Sequence, residues 1–191
     1  MPVNDPLKQQ ILVSGVGGQG ILFVTRLLAE TAIYKGLPVL TSETHGMAQR
    51  GGTVVSHLKI GGFSSPLIRP SKADILLLLR SENLSSHRFY IRPGGIAVVN
   101  ASTPPEASGN FQLLVLDADA AAKEIHQTKS VNLILAGFAL SALNHMGLRT
   151  YCNLDDIRAV LHRKLSGRDK LLRASVSAFD LGVMRGEKVN I

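Results

Sequence analysis

The sequence predicts an α/β fold: an open, mostly parallel sheet with helices on both faces and a helical C-terminal third. Three observations carry this. Apolar runs of strand length recur through the first two thirds, the first of them passes straight into a segment of helical spacing, and after Asp117 strand formers give way to helical patterns. Strands alternating with helices imply a largely parallel sheet with helices on its faces.

Taken in order, residues 10–14 are branched and apolar, a buried strand. From Gln19 the apolar residues Ile21, Val24, Leu28 and Ala32 recur at helical spacing until Gly36, with Pro38 just beyond as a stop. Val39 to Ser42 reads as a short second strand, and "TVVSHLKIG" alternates as a third. The unbroken leucines of "ADILLLLRSEN" give a fourth strand buried on both faces and running into a polar turn. Gly94 and Gly95 introduce a fifth, "IAVVN", and "FQLLVLD" is a sixth. "ADAAAKEIHQ", "NLILAGFALSALNHMG" and "LDDIRAVLHRKL" carry helical spacing, and Asn132, at the head of the second, reads as a cap. The Pro- and Ser-rich "NASTPPEASGN" is too short to divide domains, so residues 1–191 are expected to form one.

Composition narrows the function. Hydrophobic residues at 45% and charged residues at 18% are globular values, and no uninterrupted apolar stretch could span a bilayer. The opening "MPVNDPLKQQ" lacks a basic cap leading into an apolar run, so a cytoplasmic location is expected. The single cysteine, Cys152, excludes an internal disulfide and cannot supply the thiolates of an iron–sulfur cluster. A net charge of +7 favours acidic partners or phosphate-bearing ligands. Arg149, Arg158, Arg163, Lys164, Arg168, Lys170 and Arg173 gather late, but Asp155, Asp156 and Asp169 dilute them and aromatics are only 5%, which reads as a solvated helix face rather than a nucleic-acid groove.

Two loops carry the chemistry. In "GVGGQG", Gly15, Gly17 and Gly20 satisfy GxGxxG between a strand and a helix, the context of a Rossmann-like dinucleotide loop, with Gly18 and Gln19 between them. Amides at a helix start face outward with the positive end of the dipole behind them and suit a phosphate or carboxylate. A dinucleotide also needs an acid at the end of the second strand; Glu43 stands near it, but about twenty residues beyond the last glycine rather than the first. In the quieter reading the glycines only let helix and strand approach.

The second loop, "SETHGMAQRGG", runs from Ser42 to Gly52 and sets Glu43, His45, Met47, Gln49 and Arg50 among Gly46, Gly51 and Gly52. Loops at the carboxyl ends of strands share one rim, so this loop, "GVGGQG" and the turn Ser81 to Asn83 should converge. Arg50 could clamp an anion that Gly51 and Gly52 cradle. Equally, Glu43 and Arg50 could pair with each other, His45 could donate to a carbonyl and Met47 could fill a core gap. His45 lacks the second imidazole or thiolate a metal site needs, and no GxSxG elbow is present.

Together, "GVGGQGILFVTRLLAE" and "SETHGMAQRGGTVVSHLKIG" resemble the gamma-type domain of the 2-oxoacid:ferredoxin oxidoreductases, in the form carried by the small subunit of the indolepyruvate type. The resemblance includes "NLILAGFALSAL" and covers nearly the whole chain. It implies a subunit, inactive alone, of an oxidoreductase that decarboxylates a 2-oxoacid, here indolepyruvate or another arylpyruvate, reduces ferredoxin and forms an acyl-coenzyme A. Thiamine diphosphate, magnesium and the iron–sulfur clusters are expected in a large partner subunit, with no cofactor held tightly by this chain and coenzyme A at a shared site. The rim of Gly15 to Gly20, Ser42 to Gly52 and Ser81 to Asn83 would face that partner. Arg50 would be the anion clamp, Gly17, Gly18 and Gly20 the amide donors, and Glu43 and His45 the candidates for proton transfer. Nucleic acid and membrane are not expected partners. A free-standing NAD- or FAD-binding oxidoreductase and a non-catalytic binding protein are the competing readings.

Overall fold

Six strands form one sheet in the order β2-β3-β1-β4-β5-β6 in a computed structural model that describes residues 7–45 and 52–189. They are β1 (Gln9–Val16), β2 (Val39–His45), β3 (Thr53–Ile60), β4 (Ala73–Leu78), β5 (Ile91–Asn100) and β6 (Phe111–Leu116). The helices are α1 (Ile21–Tyr34), α2 (Asn83–His87, continued by a 3₁₀ turn, Arg88–Tyr90), α3 (Ala118–Glu124), α4 (Val131–His145), α5 (Leu154–Lys164) and α6 (Asp169–Gly186).

Strands β1, β4, β5 and β6 pair in parallel, as the buried apolar runs predict. The third strand does not follow this pattern. β3 runs antiparallel to both of its neighbours, Val13 facing Ser56 on one side and Glu43 facing Ser56 on the other. The link from β2 is too short for the crossover helix a parallel partner would need, so the chain turns back as a hairpin and inserts β3 between β2 and β1. β2 itself extends to His45, past the end at Ser42 that its composition suggests. β5 starts earlier than "IAVVN", at Ile91, with an irregularity in its pairing to β4 between Ala73 and Ile75.

The two faces of the sheet are covered unequally. Ile11, Val13, Leu58, Ile60, Ile75, Leu77, Ile96 and Val98 point into one large core with residues of α1, α3, α4, α5 and α6. Leu12, Leu76, Leu78, Ala97 and Val99 face the other way, into a smaller cluster with Leu84 of the short α2, Ile68, Ala73 and Ile91, against which Val55, Tyr90, Ala101, Phe111 and Leu113 pack half-buried. Helices therefore lie on both faces, but among the described residues the second carries a single five-residue helix and a 3₁₀ turn.

α4 is apolar all round, with Val131 to Leu143 buried, which places it inside the helical layer rather than on its surface. It crosses α6 with almost no gap. A Cβ on Gly182 would collide with the carbonyl of Ile134, so only glycine allows this approach. α5 starts with a capping box, Asn153 accepting from the Asp156 N–H at 2.8 Å while Asp156 accepts from the Asn153 N–H at 2.9 Å. The Tyr151 hydroxyl, buried ahead of α5, donates to the Leu28 carbonyl of α1 at 2.9 Å and ties the two helices together.

Candidate functional site

The glycine loop is built by the end of β1 and the start of α1. Gly15 has no room for a side chain, because a Cβ there would meet Gln19 Oε1 at 2.7 Å and Leu79 Cβ at 3.1 Å. The chain then turns, Gln19 N–H donating to Val16 O at 3.2 Å. Gln19 folds back over the turn: its Oε1 accepts from the Val16 N–H at 2.8 Å, and its Nε2 reaches the Leu79 carbonyl at 3.4 Å. The side-chain amide bridges the ends of β1 and β4. Gly20 precedes α1 at φ +75°, the left-handed region, and no side chain caps the helix.

The glycine loop meets the turn after β4, and Gly52, the last residue of the second motif, joins them. Gly17 N–H donates to Gly52 O at 3.2 Å, joining the glycine loop to the chain entering β3. Asn83 Nδ2, after the Ser81 turn, donates to the buried Ser14 Oγ of β1 at 2.9 Å, and Leu79 N–H donates to Ser14 O at 2.8 Å. Because β3 starts where β1 ends, Thr53 opposite Val16, the β2–β3 hairpin opens on the same rim despite the reversed strand.

Among the described residues, none accepts from the N–H groups of Gly18, Gly20 or Ile21, and the first turn of α1 holds no acid. This leaves an outward-facing set of amides backed by the helix dipole, able to receive an anionic group. Gly17 is not among them, since its N–H is taken by Gly52. Gln19 is likewise occupied within the loop, which makes it a brace rather than a ligand group.

Ser42 and Glu43 sit away from this rim. They lie within β2, level with His57 and Ser56 of β3, and so with Leu12 and Val13 below the β1 terminus. β3 also separates them from β1, at two strand spacings or about 10 Å. Ser81 is half-buried on the turn after β4. His45 ends β2 opposite Val54. Gly46, Met47, Gln49, Arg50 and Gly51 lie outside the described residues.

Two asparagines that the sequence did not single out for this role organise the rim. Asn132 is not a cap: Ser130 precedes α4, and Asn132 sits inside it, its Nδ2 donating to Gly20 O at 3.0 Å from 112 residues away. Asn100, at the end of β5, donates to Leu79 O at 3.2 Å and to Asp119 Oδ2 at 2.7 Å while accepting from the Ala118 N–H at 2.9 Å. Leu79 O thus receives Gln19 and Asn100 together, fixing the rim across three strands. Asn132 heads an apolar helical run, which is the pattern of an ordinary cap, and Asn100 ends a strand before a Pro- and Ser-rich loop, so nothing local announces the long-range bonds.

Beneath the rim, α2 hangs from the same network. His87 Nδ1 lies 2.9 Å from Asn83 O, so that nitrogen carries the proton, and burial pushes the ring's pKa below the usual histidine range. His57 is lowered too, by burial, by His87 and by Lys59, and its Nδ1 accepts from the Ile68 N–H at 3.3 Å. Both rings flank Tyr90, and both are neutral parts of the thin second layer.

The geometry disfavours a dinucleotide. A Rossmann sheet sets its second strand beside the first, so that the acid at that strand's end reaches the ribose, whereas here β3 intervenes and the side chain of Gln19 spans the β1–β4 crevice. What remains is an α/β domain with an anion-receptive rim that presents two conjoined loops.

The chain belongs to the pyruvate ferredoxin/flavodoxin oxidoreductase family, whose model matches residues 10–184. This bears out the resemblance read from the two glycine motifs. It is 28% identical over 201 aligned positions to the indolepyruvate oxidoreductase subunit IorB of Pyrococcus horikoshii, covering 94% of this chain and 96% of that one. A stretch of 94 residues is 38% identical to the subunit of the same name from Archaeoglobus fulgidus, about half of either chain (49% of this one, 47% of the relative). The fold is shared with the keto/oxoacid ferredoxin oxidoreductase gamma subunit of Geobacter sulfurreducens, at TM-score 0.74 and 21% identity over 95% of this chain and 99% of that one. It is shared also with the 2-oxoglutarate:ferredoxin oxidoreductase of Magnetococcus marinus with 2-oxoglutarate, coenzyme A and succinyl-CoA bound, at TM-score 0.78 and 22% identity. There the match covers 96% of this chain but 32% of the other.

Proposed function

We propose that this chain is the small, cluster-free subunit of a 2-oxoacid:ferredoxin oxidoreductase of the indolepyruvate type, inactive by itself, which completes the active region of a large partner subunit. The observation that carries the reading is the rim: the Gly17–Gly52 bond joins the two motif loops beside open amides at the start of α1. The large partner would hold thiamine diphosphate, magnesium and the iron–sulfur clusters. What the described residues offer supports that division. Its one cysteine is buried, and the described residues contain no group of three or more His, Cys, Asp or Glu able to hold a metal.

The rim suits an anionic group at the subunit boundary, and coenzyme A, with three phosphates, is the candidate, as the relative from Magnetococcus marinus binds it. Gly18, Gly20 and Ile21 would donate amides, and Arg50 would clamp from the neighbouring loop. Any proton transfer by Glu43 or His45 would need the partner to bring substrate to them, since Glu43 lies below the rim. No helix among the described residues is long and apolar enough to cross a membrane. On this reading the complex would work in the cytoplasm, where ferredoxin would accept its electrons.

Anaerobic affinity isolation of the tagged chain from its source tests the reading. A brown complex with a much larger partner supports it. A colourless, solitary chain overturns it.

A further inference from the structure

The late basic residues do not spread over a uniformly solvated face. Arg163 and Lys164 line one groove and Arg173 another, one on each side of α5. The first, of about 520 Å³, lies between α1 and α5 and is walled by Ile33, Tyr34 and Val160. The second, of about 530 Å³, lies between α5 and α6 and is walled by Leu172, Val176, Leu181 and Met184. Large apolar side chains stand open at both, Ile33 at 62% and Met184 at 52% exposure.

The charges along these grooves are unbalanced. The acids are spent on internal pairs: Glu30 on Lys164, Asp156 on Lys35, and Asp155 and Asp180 both on Arg158. Among the described residues, Arg163, Arg168, Lys170 and Arg173 have no carboxylate partner, and Arg163 rests on the face of Tyr34, 5.6 Å from the ring centre. Of the acids within residues 149–173, Asp169 alone is in no ion pair among the described residues. An apolar floor with an uncompensated cationic border is the pattern of a protein interface steered by charge.

We propose that the two grooves flanking α5 receive an acidic surface of the partner subunit, whose apolar side chains enter between α1 and α5 and between α5 and α6. A second copy of this chain does not fit, because it would bring the same unpaired arginines, Arg163 and Arg173, together. A nucleic-acid backbone would meet the cations but leave the apolar walls wet. The site is separate from the rim: Glu30 to Tyr34 lie ten or more residues along α1 from Gly20, roughly 15–20 Å. The partner would therefore hold the chain at two places. The proposal rests on the reading of the chain as one subunit of a hetero-oligomer.

The test is reconstitution from the purified partner subunit and this chain, with assembly measured by sedimentation at low and high salt. The Arg163→Glu, Arg173→Glu double variant alters exposed side chains only and keeps the circular dichroism spectrum and thermal unfolding of the wild type. It is expected to weaken assembly about tenfold or more at low salt and to flatten the salt dependence. Met184→Asp weakens assembly while leaving that salt dependence in place. Assembly of the double variant equal to wild type overturns the proposal. So does salt-sensitive binding of a labelled polyuridine oligonucleotide that the double variant loses while assembly is unaffected. A wild-type chain that fails to assemble with the large subunit at all is a distinct result, which overturns the hetero-oligomer reading and the grooves' occupant with it.

Discussion

The contact between Gly20 and Asn132 can be tested as a thermodynamic cycle. Gly20→Ala places a Cβ at φ +75° and drives it into Asn132 Nδ2. The left-handed backbone costs about 1–2 kcal/mol for a residue with a Cβ. Displacing Asn132, which is 5% exposed, breaks its bond to Gly20 O and strands a buried amide at a further cost of about 1–3 kcal/mol. The single variant should therefore lose about 2–5 kcal/mol. Asn132→Ala alone should lose about 1–2 kcal/mol, because Gly20 O keeps the Val24 N–H at 3.1 Å. In the double variant the clash has no second party, so the loss should fall short of the sum by about 1–2 kcal/mol. Urea unfolding of the four proteins, followed by circular dichroism, measures the cycle. Losses that add within about 0.5 kcal/mol would refute the account of how α4 holds the glycine loop.

Gly182→Ala should lower the urea midpoint, since the overpacking of about 1–3 kcal/mol against the Ile134 carbonyl outweighs a helix-propensity gain of at most about 1 kcal/mol; an unchanged or raised midpoint contradicts this close crossing. Cys152, 6% exposed with its thiol pushed up to about 12 by burial, should resist a thiol reagent at pH 8 in the folded chain and react on unfolding, whereas prompt labelling of the native protein counts against its burial. His57 and His87 are lowered in the folded state, so their stabilising contribution is complete above the unfolded histidine pKa of about 6.5 and is lost as pH falls through it, by up to about 1.4 kcal/mol per pH unit for each ring. The melting temperature should drop between pH 7.5 and 5, less so in His87→Asn, and a flat profile would argue against neutral buried rings.

Local pattern made most of the fold legible. The runs ending in Gly15 and in Leu79, and the all-round apolar "NLILAGFALSAL", define a parallel sheet and a buried helix through periodicity alone. The direction of β3 was not visible in "TVVSHLKI", whose alternation suits either sense; the information lay in the shortness of the link before it, which leaves no room for a crossover helix. That one reversal matters to the site, because it moves β2 away from β1 and removes Glu43 from the position a ribose-binding acid would need.

The convergence of the rim loops was legible because strand ends share an edge. The roles of Gln19, Asn100 and Asn132 were not, since each acts through a partner distant in sequence, such as Gly20 for Asn132 and Leu79 for the other two. Gln19 and Asn132, beside helix starts, read locally as a ligand group and a cap, and Asn100 as the end of a strand; only packing shows that they brace one segment against another.

The central claim is that the chain completes an active region it cannot form alone. The most direct measurement is arylpyruvate- and coenzyme A-dependent reduction of a viologen dye by the purified large subunit, with and without this chain. The account predicts that neither protein is active separately and that activity rises to saturation as the chain is added. Full turnover by the large subunit alone, unchanged by the addition, would contradict it.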